Sequence, residues 1–325
     1  LARLWRLLRR LRPTILHAHT PKGGLLGMLA AWLARVPVRI YHMRGLPCLA
    51  AEGCRRAILR CTERLSCAAA HQVIAISPSI ARVAVEEGLC PAEKIKPLHH
   101  GGNGLDAIGV FNPEVISNSE VRARYGLPPD AQVIGFVGRV VRDKGVAELA
   151  EAWGLLSERY PNAHLLIVGP IEPQDPVPPS VLQRLERDSR VHLTGRVPKG
   201  EMPAILAAMQ VLALPTYREG LPNVPLEASA MEIPVVATNI PGCVDAVVDG
   251  VTGTLVPPRD PAALAQAVAR YLDDPDLRRQ HGQAGRQRVL RDFRPEDVWE
   301  ATYQEYLRLL RERGLPIPEP KDAAP

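Results

Sequence analysis

Long apolar runs are missing from this 325-residue sequence, and none reaches the roughly 18 residues that a membrane-spanning helix needs. A secretory signal is also lacking, because the chain opens on Leu1 and its first residues are basic throughout rather than basic and then apolar. Both absences disfavour a membrane-spanning or secreted chain and predict a cytoplasmic protein. Because the sequence starts inside a helical pattern, we expect upstream sequence to be missing.

Cysteine pairs of the C-x-x-C type are absent as well. The six cysteines, four of which follow one another at gaps of six or seven residues, are Cys48, Cys54, Cys61, Cys67, Cys90 and Cys243. Such spacing suits one flank of a helix better than a tetrahedral zinc site. We therefore expect buried or unreactive thiols, with no disulfide and no bound metal.

Aromatic residues make up only 4% of the chain, and the arginines are not interleaved with them, which disfavours a nucleic-acid partner. Charge is distributed unevenly. Residues 1–112 carry 16 Lys and Arg against 6 Asp and Glu, whereas the whole chain has a net charge of only +5. A basic first half and an acidic remainder predict different partners for the two halves.

The first 13 residues, LARLWRLLRRLRP, have a helical apolar period with arginines on the other face. Two interpretations stay open. In one, the helix lies on an anionic membrane, which gives the protein a peripheral position on the cytoplasmic face of the inner membrane. In the other, its apolar face packs on a sheet while the arginines stay in water.

The length favours two domains, since single cores usually stop growing near about 250–300 residues. Apolar strands alternate with helical segments in both halves, which is typical of doubly wound parallel α/β sheets. The predicted strands are TILHAHT, VRIYHM, HQVIAIS, KIKPLHH, AQVIGFVGR, AHLLIVGP, VHLTGRV, VLALP and the apolar run PVVAT. We predict one domain at residues 1–113, a linker within residues 101–120, and a second domain at residues 114–294. A helix from residue 295 is expected to return toward the first domain, followed by a disordered tail at residues 316–325.

Ligands of such sheets bind at the carboxyl ends of strands, and three stretches of the second half follow predicted strands. In VGRVVRDKGV, Arg139 and Lys144 flank a helix start and suit a diphosphate. The spacing is not that of a P-loop, and a solvated basic loop is the alternative. In LTGRVPKGEM, the backbone around Arg196 and Val197 is placed to meet a base edge, with an ordinary strand-to-helix loop as the alternative.

The third stretch, YREGLPNVPLEA, places Glu219 and Glu227 around a helix start predicted between Pro222 and Pro225. A carboxylate about two residues into that helix suits a cis-diol such as ribose, because it offers two acceptor oxygens to two donors. The alternative is a helix-dipole or capping carboxylate at Glu227 and a solvated Glu219. The turn predicted to form an anion cradle through its free N–H groups comprises Gly220, Leu221, Pro222, Asn223 and Val224.

Together, these motifs resemble glycosyltransferase family 4: G-R-x(4)-K-G, then G-R-V, then E-G-L-P-N-V-P-L-E-A with seven residues between its glutamates, then VVDGVTGTLVPPRD. The resemblance runs from residue 13 to about residue 295. It implies the GT-B fold, with two Rossmann-like domains facing across a cleft, the amino-terminal one lacking its first βαβ portion here. It also implies a retaining transferase that needs no metal or other cofactor.

The family pattern implies a role for each motif. Arg139 and Lys144 would hold the donor diphosphate. Glu227 would bind the ribose, Glu219 would contact the transferred sugar, and the turn between them would bind phosphate and sugar. The remaining residues of the predicted substrate-binding set are Gly138, Gly169, Arg196 and Val197.

In the first half, HAHTPKGGLLGMLAAWLARVPVRIYHMRGLP resembles the acceptor domain of the subgroup that makes capsule, lipopolysaccharide and other surface polysaccharides. Many members have a histidine before the glycine of the strand-end loop, facing the reacting centre. Arg44 holds that place here, with His42 two residues earlier, and both are candidate catalytic residues. His17 and His19 are predicted to be packed or loop histidines.

The resemblance implies transfer of a sugar from a nucleotide-diphosphate sugar, by frequency a UDP-sugar, to a lipid-linked or saccharide acceptor. Fixed cations and helix N–H groups would stabilise the leaving diphosphate, so that no divalent ion is required. The acceptor hydroxyl would give its proton to the departing phosphate on one face. Two alternatives stay open: a truncated, non-catalytic chain that binds nucleotide sugar, and a nucleotide-sugar epimerase on the same fold, a family that lacks the paired motifs found here.

Overall fold

The computed structural model describes residues 1–317. Residues 318–325, which belong to the tail predicted to be disordered, lie outside the described residues. The chain forms two compact units, one of Leu1–Gly104 together with the segment from Pro295, and one of Leu105–Arg294. The division after Gly104 falls inside the predicted linker, earlier than the boundary predicted at residue 113.

The first unit contains a four-stranded parallel sheet with the order β1-β2-β3-β4. Each strand lies within a predicted one: β1 (Ile15–His19), β2 (Val38–Met43), β3 (Gln72–Ala75) and β4 (Ile95–Pro97). The helices of this unit are α1 (Ala2–Leu11), α2 (Pro21–Leu33), α3 (Gly53–Ala69), α4 (Pro78–Glu86) and, last in the chain, α13 (Pro295–Glu312). The segment PKGG is the first turn of α2, because proline is well tolerated at the first helical position.

Alternating side chains of β2 point to opposite faces of this sheet, and different helices cover them. Tyr41 is fully buried against α2, where a Cβ on Gly24 would lie 2.1 Å from its ring, so the glycine permits the close approach. On the other face Ile40 packs in one cluster with Leu309 and Leu310 of α13. Both faces are therefore covered by helices, as a parallel sheet requires.

Helix α1 buries only part of the apolar face that its sequence describes. Leu8 is buried with Ala30 and Ala31 of α2, whereas Leu7 and Leu11 remain 39% and 61% exposed. The apolar face is therefore packed in part, through Leu8, while the arginines stay in water, as the second interpretation predicts for that part. The exposed side chains of this segment form a surface that we call the α1 surface. It consists of Leu1, Trp5, Leu7 and Leu11 together with Arg3, Arg6, Arg9, Arg10 and Arg12. Across residues 1–317, no helix combines the length and the apolar character that crossing a bilayer requires.

A buried carboxyl group of the first unit predicts a pH-dependent stability. Glu63 is only 2% exposed and accepts a hydrogen bond of 2.8 Å from the Tyr41 hydroxyl, and burial raises its pKa to about 7. Since the folded pKa lies above the unfolded value, the stabilising contribution is present at low pH and is lost as the pH rises through 7. The free energy of unfolding should fall by about 1 kcal/mol from this group between pH 6 and pH 8.

Glu63→Gln keeps an acceptor for Tyr41 and removes the ionisation, so it should flatten this pH dependence and raise the urea midpoint at pH 8. Glu52→Gln, at an exposed position beside the same helix, is the matched control. Equal pH dependence of urea unfolding in the parent and Glu63→Gln would show that this carboxyl does not titrate in the window.

The second unit contains a six-stranded parallel sheet with the order β10-β9-β8-β5-β6-β7. Its strands are β5 (Gln132–Val137), β6 (Ala163–Val168), β7 (Val191–Gly195), β8 (Val211–Leu214), β9 (Val235–Thr238) and β10 (Gly253–Val256). Its helices are α5 (Ser119–Arg124), α6 (Val146–Arg159), α7 (Pro179–Arg187), α8 (Met202–Ala207), α9 (Asn223–Ala230), α10 (Cys243–Ala246), α11 (Pro261–Asp273) and α12 (Pro275–Asp292). The chain adds β6 and β7 on one side of β5 and then β8 to β10 on the other. The order therefore reverses between β5 and β8, the point where such sheets open a crevice for ligands.

The predicted α/β class with two parallel sheets is confirmed. The sequence did not predict β10, α5, α7, α10 or α12, and α12 shows why. Its sequence, PDLRRQHGQAGRQRVLRD, has few large apolar residues, so it carries little helical periodicity. It packs instead through glycine: a Cβ on Gly282 would lie 2.0 Å from the Glu232 carbonyl oxygen, and one on Gly285 would lie 3.1 Å from Ser229.

Candidate functional site

The connection from β5 to α6 carries the two predicted diphosphate cations. Arg139 follows β5 and its Nη1 donates to Glu172 Oε2 at 3.0 Å, in a half-exposed ion pair. Lys144 lies just before Gly145, which has φ 71° and would place a Cβ 1.9 Å from the Pro215 carbonyl oxygen. Only glycine allows this contact, which presses the loop that carries Lys144 against the loop that follows β8.

Lys144 and Glu219 form an ion pair at the strand-order reversal. Lys144 Nζ donates to Glu219 Oε1 at 2.5 Å, and the two side chains are only 16% and 14% exposed. The sequence separates them by 75 positions, but β5 and β8 are neighbours in the sheet. The alternative of a solvated Glu219 is therefore wrong, and the structure brings together one predicted diphosphate ligand and the predicted sugar ligand.

Further contacts hold the β8–α9 loop against the β5–α6 loop. The Tyr217 backbone N–H donates to the Asp143 carbonyl oxygen at 2.9 Å, and Arg218 Nη2 donates to the Asp143 carboxylate at 2.8 Å. The Tyr217 hydroxyl also donates to Glu148 of α6. The loop that carries Glu219 is thus fixed by its two preceding residues, which the sequence did not single out.

Helix α9 begins at Asn223, with Pro222 at the N-cap and no side-chain cap. Its first-turn N–H groups have no partner within the helix, as the predicted anion cradle requires, although Pro225 contributes no N–H. The helix begins at Asn223, two residues before Pro225, the last of its predicted starting positions. Glu227 therefore lies at the fifth position of the helix. The prediction that Glu227 is about two residues into the helix is therefore wrong, and a capping role is excluded by this position.

The remainder of the predicted turn lies under this helix start. Leu221 and Pro222 are buried, Asn223 is exposed, and Gly220 and Val224 are half-buried. A Cβ on Gly242 would lie 2.5 Å from the Gly220 carbonyl oxygen, so a second loop, after β9, packs against the turn. Gly242 has φ 86°, a backbone conformation that favours glycine.

Glu227 is half-buried, and burial raises its pKa, while the positive charge of Lys199 acts in the opposite direction. Lys199 belongs to the connection from β7 to α8, the stretch predicted to meet the base. In that connection Arg196 is exposed and Val197 is half-buried. The structure thus brings the predicted base segment near the predicted ribose ligand and adds Lys199, which the sequence did not single out.

The glycines that end β5 and β6 allow two loops to touch. Gly169 has φ 143°, and a Cβ there would lie 1.9 Å from the Gly138 carbonyl oxygen. The Gly169 N–H donates to the Gly195 carbonyl oxygen at 3.0 Å, which connects the ends of β6 and β7. These glycines shape the carboxyl edge of the sheet, and their direct contact with substrate stays a prediction.

The candidate residues of the first unit lie at the carboxyl end of β2. Arg44 Nη1 donates to Asn103 Oδ1 at 2.7 Å, which connects the strand-end loop to Asn103 at the end of the first unit's amino-terminal segment. His42 is half-buried and stacks with His17 at a ring-centroid distance of 5.5 Å. His19 lies 4.9 Å from His42 by the same measure. The sequence analysis predicted a catalytic role for His42 and only a packed or loop position for His17 and His19. In the structure the three rings lie next to one another.

The six cysteines are all free: Cys48, Cys67, Cys90 and Cys243 are buried, and Cys54 and Cys61 are exposed. Burial raises the pKa of the Cys243 thiol well above its usual range, with Glu219 adding to the effect. This thiol is therefore protonated beside the Glu219 loop and is no nucleophile there.

Comparison with known proteins gives the family. Two family models match, "Glycosyl transferase 4-like domain" over residues 1–101 and "Glycosyl transferases group 1" over residues 131–274. The chain is 33% identical over 308 residues to the capsular polysaccharide biosynthesis glycosyltransferase CapM of Staphylococcus aureus, covering 94% of this chain and 80% of CapM.

Solved structures give the same fold. Anabaena Alr3699/HepE, solved in complex with UDP, superposes with a TM-score of 0.80 at 21% identity, over 94% of this chain and 81% of that one. Sucrose-phosphate synthase (tll1590) from Thermosynechococcus elongatus superposes with a TM-score of 0.77 at 26% identity, over 92% and 74%. The likeness to CapM over nearly the whole chain, with both units matched by glycosyl transferase families, shows that this chain belongs to the group 1 glycosyl transferases and has the GT-B fold.

Proposed function

We propose that this chain moves a sugar, with retention of anomeric configuration, from a nucleotide-diphosphate sugar to a lipid-linked or saccharide acceptor in the synthesis of a cell-surface polysaccharide. The observation that carries the proposal is the Lys144–Glu219 pair at the strand-order reversal of the second sheet. CapM is named for capsular polysaccharide biosynthesis and HepE was solved with UDP, which supports a UDP-sugar donor and a surface polysaccharide product.

The donor chemistry follows from the charges at this edge of the sheet. Breaking the bond from the anomeric carbon to the phosphate oxygen develops negative charge on the leaving diphosphate. Lys144, Arg139 and the first turn of α9 supply positive charge and N–H donors for it, so this site needs no divalent ion. The acceptor hydroxyl attacks the anomeric carbon on the face from which the diphosphate leaves, and its proton passes to the departing phosphate oxygen.

Glu227, which is half-buried, and Glu219 bind different parts of the rest of the donor. Glu227 accepts hydrogen bonds from the ribose diol, beside the base segment that contains Arg196 and Val197. Glu219, oriented by Lys144, accepts from a hydroxyl of the transferred sugar. Neither carboxylate is required as a nucleophile in this reaction.

The acceptor is assigned to the first unit, with Arg44 and His42 at the end of β2. The α1 surface combines exposed leucines and a tryptophan with five arginines, a composition that suits contact with an anionic membrane. A lipid-linked acceptor embedded in such a membrane would be within the same surface layer as this helix.

The test is a donor screen with the full chain. UDP-, GDP- and ADP-sugars are incubated with free oligosaccharides and with a polyprenyl-diphosphate-linked saccharide in anionic or zwitterionic vesicles. We expect release of UDP, a product whose anomeric configuration by NMR equals that of the donor, and faster transfer in anionic vesicles. UDP affinity measured by calorimetry should be the same with and without EDTA.

Each outcome decides between the alternatives. Failure of UDP, GDP and ADP to bind would refute the donor site. Binding without transfer to any acceptor would favour the non-catalytic chain, and an epimerised nucleotide sugar would favour the epimerase. A product of inverted configuration would refute retention alone.

A further inference from the structure

Three histidines of the first unit point to one face of its sheet at the carboxyl ends of β1 and β2. His17 and His19 are two positions apart on β1, so they share a face, and His19 lies opposite His42 in the parallel register. One possible ligand nitrogen from each ring lies within 4.8 Å of the other two. The same face is covered further along by α13, whose Tyr306 reaches His17.

Two nitrogens of this cluster are buried without a hydrogen-bond partner. His17 Nδ1 lies 2.7 Å from the Tyr306 hydroxyl, while His17 Nε2 and His42 Nδ1 are buried and unpaired among the described residues. A buried polar atom left unpaired destabilises the fold, so these two nitrogens call for a ligand that satisfies both. The exposed His19 leaves this point open to solvent.

The surroundings of the cluster disfavour positive charge on its rings. Burial lowers the pKa of His17 to about 4, with His19 and Arg44 adding to the effect. Burial and the positive charge of Arg44 lower the pKa of His42 to about 3 and also lower the pKa of His19. Imidazole binds metal in its neutral form, in which one ring nitrogen offers a lone pair.

We propose that His17, His19 and His42 bind a divalent transition metal of the Zn²⁺ type, with His17 ligating through Nε2 and His42 through Nδ1. His17 then carries its proton on Nδ1 and donates it to the Tyr306 oxygen, the usual outer contact of a metal-bound histidine. With metal–nitrogen distances of about 2.1 Å, tetrahedral ligands lie about 3.4 Å apart. His19 and His42 stack on His17 at interplanar angles of 24° and 15°, so metal binding requires the rings to rotate out of this stack. The fourth position faces solvent and takes an oxygen ligand.

Arg44 sets the character of that fourth ligand. Its guanidinium pairs with the neutral Asn103 rather than with a carboxylate, so that contact does not compensate its positive charge, which acts on all three histidines. A positive neighbour opposes the cation and favours an anionic oxygen, such as hydroxide, phosphate or carboxylate, as the fourth ligand. The site concerns the first unit alone and does not depend on the proposed donor chemistry.

The test measures metal binding by the full chain after treatment with a chelator and its removal. We expect one equivalent of Zn²⁺ by competition with a chromogenic chelator, and Co²⁺ spectra with the visible bands of a tetrahedral nitrogen and oxygen site. His19→Gln, at an exposed position, and His42→Gln should each weaken binding by about 100-fold or more, and Tyr306→Phe by about tenfold. Arg44→Gln should tighten it, because the opposing charge is gone.

The second unit offers a matched control. His164 Nδ1 and His192 Nε2 lie 3.0 Å apart in a hydrogen bond, so that pair is already satisfied, and His192→Gln should leave metal binding unchanged. A Cys54→Ser/Cys61→Ser background removes the exposed thiols and should retain the binding. Urea midpoints show that each variant is folded. Binding weaker than about 100 μM, loss of binding with the cysteines, or equal binding by the parent and His19→Gln would overturn the proposal.

Discussion

Replacement of Lys144 by alanine is expected to lower kcat for sugar transfer by about 10²- to 10³-fold, the loss typical of removing one preorganised group that stabilises a developing charge. Lys144 is suited to this role because its side chain is only 16% exposed and its ammonium is held by Glu219 at 2.5 Å, so it does not reorganise when the diphosphate leaves. The same change also leaves Glu219 without its cation, which adds repulsion toward the diphosphate and should raise KM. Steady-state kinetics with the donor identified by the screen measures both effects.

The control for Lys144→Ala is Arg142→Ala, an exposed cation in the same loop, which should change kcat less than about threefold. A Lys144→Ala/Glu219→Ala double variant separates direct from indirect action. If Lys144 served only to position Glu219, the double variant would be no slower than Glu219→Ala alone. We expect it to be slower, since the two groups act on different parts of the donor.

Substitutions of Glu219 and Glu227 are expected to have different effects, one on kcat and the other on UDP affinity. Glu227→Gln should weaken UDP binding by about 10- to 100-fold, because one of two acceptor oxygens for the ribose diol becomes a donor. Glu219→Gln should lower kcat by about 100-fold or more while UDP affinity changes by less than about threefold, since UDP lacks the transferred sugar. Calorimetry with UDP and kinetics with the donor separate the two.

The pH dependence provides a second distinction for Glu227. Burial raises its pKa, and the neutral acid has lost acceptor capacity, so UDP affinity should decrease as the pH falls through that pKa. Glu227→Gln should remove this component. Glu151→Gln, an exposed carboxylate of α6, is the matched control for both glutamates. If both site variants bind and turn over like the parent, the assignment of the donor site is wrong.

The fold was largely predictable because its signals are local. Nine of the ten strands, all but β10, lie within apolar runs recognisable in the sequence, and the predicted α/β class holds. The elements that were missed lack such signals. β10 is four residues beside a glycine-rich turn, and α12 packs through Gly282 and Gly285, whose contribution is the absence of a side chain. Apolar periodicity indicates which face of a segment is buried. It gives no signal where an element packs through the close approach of its backbone.

The family resemblance, the α/β class and the residue types of the donor motifs can all be read from the amino-acid order alone. The sequence signals for each of these lie within a strand or in the ten or so residues after it. The pairing of Lys144 with Glu219, across 75 positions, was decided by the tertiary structure, because β8 returns to lie beside β5. The histidine cluster was decided there too, since it needs the register of β1 on β2 and a tyrosine 289 positions from His17. Such contacts depend on which strands become neighbours, and the free energy that decides this belongs to the whole packed unit rather than to any segment.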